Sequence, residues 1–316
     1  MKGISHFASG LCLATFVPGV VEEAAKGSLL IALGGACALL PDTLDFKLAK
    51  FLEKRDADIL PDRDQPDAQH IADQLAHQIR VVQQEGRPRV VQLHPLRLTV
   101  AEWVLYTVRF DVARGDVVVS LDRDGADRRA HVGKLDYTYD GPLHIEELGG
   151  PSLKLVPSPN GVRIEFLPWH RTWSHSLVIA LALGLILGVL LEPRAGLVAA
   201  LGYAVHILED QLGFMGSNLF APLSRGRTDG LKLLHSGDTI PNLVTVWLSL
   251  TLILFNLDRA QAMPLLSAGP YLAFVVLLPS ALLIALYVRR QYRKHVERLE
   301  RQRQRDLVAE SEEVQA

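Results

Sequence analysis

Six stretches of the chain carry almost no charge: residues 7–21, 28–40, 176–191, 195–208, 243–257 and 271–288. Each reads as an apolar helix. A helix that crosses a bilayer needs about 20 residues at 1.5 Å rise, with about 17 as the lower bound, so only 271–288 qualifies without borrowing its flanks. Buried helices of a large soluble protein are the alternative. Two Gly- and Ala-rich stretches, 32–38 and 197–204, suit close packing of helices in lipid. The expected architecture is therefore a polytopic membrane bundle, all-α, of about six apolar helices. It divides into membrane helices 1–2 (residues 1–46), a soluble α+β insert (47–168), membrane helices 3–6 (169–288) and a tail of mixed charge (289–316).

Inside the insert the period changes. Ile71, Leu75, Ile79 and Val82 recur at helical spacing over 67–84, and Gly86 follows as a stop. Beyond it, 89–93, 103–112, 117–121, 153–156 and 162–166 read as strands, with Asn160-Gly161 as a hairpin signal between the last two. The basic residues of the tail begin directly after the sixth apolar stretch, which by the positive-inside rule places this end in the cytoplasm.

Composition sharpens this picture. The 316 residues are 49% hydrophobic and 22% charged, with a net charge of -2, and the mean hydropathy is +0.17. Apolar and charged residues must be segregated to give both values. The net charge removes the electrostatic footprint of nonspecific nucleic-acid binding, so nucleic acid is not an expected partner. Cys12 and Cys37 both lie in apolar stretches, which supports neither a disulfide framework nor a cysteine metal site. A cleaved secretory signal is disfavoured by His6 and by the second apolar stretch that follows so soon.

The chemistry sits at the ends of the apolar stretches. His6 precedes the first, Asp42 and Asp45 follow the second, His170 and His175 precede the third, and His206 and Asp210 close the fourth. If each stretch crosses once, all four groups arrive on one face, together with the insert and the tail. Ionisable groups at a membrane edge are costly to bury and are functional by default. His206 and Asp210 share a helical face at i, i+4, and Pro41 is expected to end the second helix. Ser174 is a candidate N-cap for the third, with His170 and Arg171 in the approach loop.

Imidazoles and carboxylates without thiolate describe a hard-to-borderline metal site, zinc first, with manganese, iron or nickel compatible, and with one or two ions. Arg171 is a candidate to hold an anionic substrate oxygen. His235 and Asp238 are second-rank candidates, and the other histidines read as surface residues.

The motifs Ser5-His6-Phe7, Leu39-Leu40-Pro41-Asp42-Thr43-Leu44-Asp45, His170-Arg171-Thr172-Trp173-Ser174-His175-Ser176, and Gly202-Tyr203 with His206 and Asp210 resemble the bacterial inner-membrane metal-dependent hydrolases of the YdjM type. That family looks distantly similar to zinc-dependent phospholipase C. Thr172 and Ser174 depart from the Gly and Thr usual in the third motif, Glu209 adds a carboxylate, and the long insert is absent from the family's short form. The resemblance implies a multi-pass protein of the bacterial cytoplasmic membrane. The metal ligands expected are His6, Asp42, Asp45, His170, His175, His206 and Asp210, with Arg171, Asp45 and Asp210 in catalytic roles.

The expected activity is metal-dependent hydrolysis of a phosphoester or other ester, the substrate a lipid or lipid-linked molecule met at the bilayer. The competing expectation is a non-catalytic scaffold or a protein that binds or transports divalent metal, the insert serving to bind another protein. Polar groups at helix ends rather than mid-helix favour catalysis over transport.

Overall fold

The computed structural model describes residues 1–62, 66–98, 103–122, 125–137, 139, 141–145, 150–224, 226–293 and 296. Helix α1 spans Gly3–Thr15, α2 Val20–Ala24 and α3 Leu30–Leu44, the last running on through a π-helical turn, Asp45–Ala49, to Leu52. After the insert come α5 (Leu177–Leu190), α6 (Pro193–Gln211), α7 (Thr239–Arg259) and α8 (Ala268–Arg293). The insert contributes the remaining helix, α4 (Ala68–Glu85).

This is not the six-helix membrane bundle expected from the apolar stretches. Among the described residues only α7 and α8, of 21 and 26 residues, are long and apolar enough to cross a bilayer. Helix α3 turns polar at Asp42, Asp45 and Lys47 along its continuation, and α1 and α5 have only 13 and 14 residues. At 1.5 Å per residue these two reach about 20 Å, well short of a hydrocarbon core of about 30 Å. The first stretch also breaks after Thr15, because Gly19 turns the chain at a φ of +84°.

The short helices form a close-packed body instead. Helices α1, α3 and α6 pack against one another, α5 lies on α6, and α7 lies along α1. Glycine makes the approach feasible: a Cβ on Gly202 of α6 would stand 2.3 Å from the Gly34 carbonyl oxygen of α3, and one on Gly10 of α1 would stand 2.4 Å from the same atom. Helix α1 runs parallel to α7, tied at one end by Ser5 Oγ donating to Asn242 Oδ1 at 2.8 Å and at the other by Asn256 Nδ2 donating to Thr15 Oγ1 at 2.8 Å.

Pro41 does not end α3. It lies inside the helix, where its missing N–H and its ring affect only the preceding turn, and the chain continues helically through the π-helical turn to Leu52.

The insert has its own core. Helix α4 is capped by the Asp67 carboxylate, which accepts from the Gln69 N–H at 2.9 Å, and stopped at Gly86 with φ +66°. Its apolar face, Ile71, Leu75, Ile79 and Val82, is fully buried against strands of two sheets. One is a mixed sheet of β1 (Ala57–Ile59), β2 (Arg89–Leu93), β10 (Ser152–Ser158), β11 (Gly161–Phe166) and β8 (Leu135–Tyr137), in that spatial order. The other is antiparallel: β7 (Arg128–His131), β6 (Asp116–Leu121), β5 (Tyr106–Asp111) and β9 (Leu143–Ile145). The stretch 103–112 is not one strand, because β4 (Trp103–Val104) pairs with β3 (Leu96–Arg97) while β5 joins β6 and β9.

The hairpin turn sits one residue earlier than the Asn160-Gly161 signal. Ser158 pairs with Gly161, which leaves Pro159 and Asn160 as the turn. Proline fixes φ near -65°, incompatible with a type I′ first position.

Candidate metal centre

Four helix-end segments deliver the polar residues to one place. His6 lies on the second turn of α1, Asp42 and Asp45 on the last part of α3, His170 and His175 in the loop before α5, and His206 and Asp210 on the last turns of α6. Asp42 is half-buried and the other six are buried.

At the centre stand Asp42, His175, His206 and Asp210. His175 Nε2 and His206 Nε2 are 3.1 Å apart, and they lie 3.4 and 3.3 Å from Asp210 Oδ2. Asp42 Oδ1 lies 3.5 Å from His175 Nε2 and 3.6 Å from His206 Nε2. An ideal tetrahedron with bonds of about 2.0–2.1 Å has edges of about 3.3–3.4 Å, the size of this cluster.

The opposite ring nitrogens explain why these atoms face inward. His206 Nδ1 lies 2.7 Å from the Ala38 carbonyl oxygen, to which it donates, and His175 Nδ1 lies 3.2 Å from Asp45 Oδ2. With Nδ1–H committed, each neutral imidazole presents the Nε2 lone pair to the cluster. Two lone pairs and two carboxylate oxygens then converge with no donor among them, and Asp210 Oδ2 is a buried oxygen without a hydrogen-bond partner. A cation satisfies that arrangement. Oxygen and imidazole ligands suit a divalent metal, and backbone carbonyl or carboxylate partners on the outer nitrogens are what such ligands need to be held in place.

Without a cation, a proton takes its place. Burial works against charge on His175, but the carboxylates of Asp210, Asp42 and Asp45 outweigh it and push the imidazole up to about 10. Burial likewise opposes ionisation of Asp210, yet Arg171 and the neighbouring imidazoles hold its carboxyl well below the usual carboxylate range. Asp42 and Asp45 are lowered as well, against burial, by their bonds to histidine.

Asp45 belongs to a second cluster with His170 and His175, and its neighbours are donors. It accepts from His170 Nδ1 at 2.8 Å, from the Arg171 backbone N–H at 2.7 Å and from the Ser174 hydroxyl. These partners make it an organiser of the approach loop. His170 is lowered by burial, which outweighs its bond to Asp45, and its Nε2 lies 4.0 Å from Asp42 Oδ1.

His6 stacks on His206 with ring centroids 3.9 Å apart, and its Nε2 lies 3.4 Å from Asp210 Oδ1. Glu209 bonds His6 Nδ1 at 2.7 Å and accepts from the Ser9 hydroxyl, which gives that carboxylate a place: it fixes the His6 ring. Arg171 holds Asp210 Oδ1 at 2.9 Å through Nη2, and its Nε is a buried donor without a partner.

Ser174 is not the N-cap of α5. Ser176 is, accepting from the Val178 N–H at 3.1 Å. Tyr203 locks the same loop by donating to the Ser174 carbonyl oxygen at 2.5 Å. His235 stacks on Phe214, and Asp238 accepts from the Tyr287 hydroxyl at 2.7 Å, so both lie outside the cluster. His70, His77, His131 and His144 are exposed, His94 is half-buried and paired with Asp58, and His295 lies outside the described residues. The tail beyond Arg293 is, but for Val296, also outside them. Cys12 and Cys37 are buried and free.

Residues 153–292 match the model of the family described as YdjM inner membrane protein, which covers the last hairpin of the insert, the approach loop and α5 to α8. No curated protein and no solved structure matches the chain, and the likeness to zinc-dependent phospholipase C finds no support in these comparisons.

Proposed function

We propose that the protein is a membrane-bound, metal-dependent hydrolase of a phosphoester or other ester. The observation that carries this reading is the buried cluster of Asp42 Oδ1, His175 Nε2, His206 Nε2 and Asp210 Oδ2, whose imidazole nitrogens lie 3.1 Å from each other and 3.3–3.6 Å from the carboxylate oxygens. These four residues would hold a divalent ion, zinc before manganese, iron or nickel. When bound, such an ion supplies Lewis acidity and lowers the pKa of water toward neutrality.

The chain's own groups supply the rest. His170 is neutral at pH 7 and takes a proton at Nε2, its ring held by Asp45 through Nδ1. Arg171 keeps Asp210 in place with one arm and offers Nε–H to an anionic oxygen. The loop from Leu167 to Ser176 positions both and is fixed by Ser174 and Tyr203.

The site also favours a substrate met at the bilayer. The Lys2 N–H and the Ser5 hydroxyl both donate to Asn242, in the first turns of α7. The metal cluster is therefore level with the beginning of a helix long enough to cross the membrane. The orientation we propose is cytoplasmic for the site, the insert and the C-terminus, with the basic residues that follow α8 on that side. Labelling, from outside sealed right-side-out vesicles, of a cysteine introduced on the surface of the insert would contradict it.

Elemental analysis of purified protein tests the centre: wild type carries metal, and His175→Ala and Asp210→Ala each abolish it. Full retention in both variants removes the site. Activity on a panel of phosphodiesters, phospholipids and carboxylic esters, lost with chelator, supports hydrolysis. Bound metal with inactivity across the panel favours a structural metal that ties the helix ends together.

A further inference from the structure

Two cavities adjoin where the insert meets the helical body. The smaller, about 140 Å³, is lined by His170 and Arg171, and by Phe214 and His235, whose rings stack with centroids 4.1 Å apart. The larger, about 350 Å³, is lined by Phe46 of the π-helical turn, by Trp169, and by Leu143 and Pro151 of the insert. Tyr139, Phe166 and Leu167 line both spaces, so the two meet along a shared edge. That edge is aromatic: the Tyr139 and Phe166 rings stack at 4.4 Å with an interplanar angle of 25°.

The two spaces differ in chemistry. The first presents a guanidinium and an imidazole next to the metal cluster. The second offers rings and aliphatic groups, with Lys50 and His144 among the polar residues around it. Its volume falls in the range of small-molecule sites, about 300–1,000 Å³, and a junction between two units is where such sites concentrate. None of the four central ligands lines it, so metal binding alone leaves it without a purpose.

We infer that the larger cavity binds the organic group of the substrate while the anionic ester lies at Arg171 and His170, so that the insert sets specificity and the substrate is a phosphoester bearing a ring or another compact apolar group. The inference rests on the hydrolase reading for the small cavity alone. The insert's contribution is Tyr139, Leu143 and Phe166; the helical body's is Phe46.

Methylphosphonate and phenylphosphonate serve as probes that are not hydrolysed. Full-length protein in discs of zwitterionic lipid is first assayed for metal, then titrated with each probe by calorimetry. Phenylphosphonate is expected to bind at least tenfold more tightly, because the ring leaves water for an aromatic wall. Tyr139→Ala should cut the preference below threefold with metal content unchanged, and Phe46→Ala, a half-exposed lining residue from the helical body, should act in the same direction if the first variant fails to fold. Equal binding of the two probes by wild type overturns the inference, and so does a preference intact in both variants. A wild-type protein that holds no metal yet prefers phenylphosphonate removes the hydrolase reading and keeps the cavity. Phosphatidic acid added to the discs identifies the source: displacement of phenylphosphonate assigns a lipid phosphoester, and no displacement assigns a soluble one.

Discussion

Replacing Asp45 with Asn keeps the shape of the side chain and reverses part of its chemistry. The native carboxylate is fully buried and accepts from His170 Nδ1, the Arg171 N–H, Ser174 Oγ and His175 Nδ1. Asparagine brings one carbonyl oxygen and an amide that points donors at donors. Hydrogen bonds to a charged group contribute about 1.5–3 kcal/mol each, so losing one or two of them should destabilise the metal-free protein by about 2–4 kcal/mol. His175 also loses the carboxylate at its Nδ1, where Ser174 Oγ at 3.0 Å is the other partner, and with it part of what directs the Nε2 lone pair. Outer partners of this kind change metal affinity by about 10–100-fold, or about 1.4–2.7 kcal/mol. Zinc affinity measured by competition with a chromophoric chelator should fall within that window. Asp42→Asn, which takes the negative charge from a central ligand, should fall further. Affinity of Asp45→Asn within threefold of wild type would refute the assigned role, and a loss as deep as that of Asp42→Asn would make Asp45 a direct ligand.

Metal binding should release about one proton and strengthen with pH. His175 in the metal-free protein is pushed up to about 10, so between pH 6 and 8 the ion must displace its proton, at about tenfold in affinity per unit from this group. Calorimetry in two buffers of different ionisation enthalpy reads the proton count, and a flat profile over that range contradicts the assignment. The same shift stabilises the metal-free fold fully below the unfolded value of about 6.5, and that contribution disappears as pH rises through about 10. Gly202→Ala should destabilise the protein and lower its metal content, although alanine in place of glycine stabilises an ordinary helix by about 0.5–1 kcal/mol; the new Cβ would stand 2.3 Å from the Gly34 oxygen. A stabilised variant by thermal melt argues against that contact. Asn242→Ala, which removes the acceptor shared by Lys2 and Ser5 and the amide that donates to Ser236 and Asp238, should cost about 2–3 kcal/mol and loosen metal, checked by chelator-induced unfolding.

The sequence placed the polar residues at helix ends because charge is so rare in the apolar stretches that each interruption stands out. His206 and Asp210 share a helical face at i, i+4, and it was their coincidence with the other helix-end groups that made the pair legible as part of a site. The count of membrane crossings was not, because residue type does not distinguish an apolar face against lipid from one against another helix, and the glycines that let α1, α3 and α6 touch also suit packing in lipid. Pro41 misled because proline removes one hydrogen bond to the turn before it, a loss that a helix packed on its neighbours tolerates while continuing. Glu209 had no visible role because its partners, His6 and Ser9, lie some 200 residues away in the chain. Tyr139 had no signal either: one more aromatic in a β-rich insert becomes part of the site region only when the insert folds over the approach loop.

Helix α3 does not stop at the metal cluster. It carries Asp42 and Asp45 past the centre, presents Phe46 to the larger cavity and runs to Leu52 near the first strand of the insert. Any displacement of the insert that moved this continuous helix would move both carboxylates with it. By thermodynamic reciprocity, any molecule that tightens metal binding by wedging the insert closed is itself held more tightly, by the same factor, when the metal is present. Closure of the insert and occupancy of the centre would then report on each other.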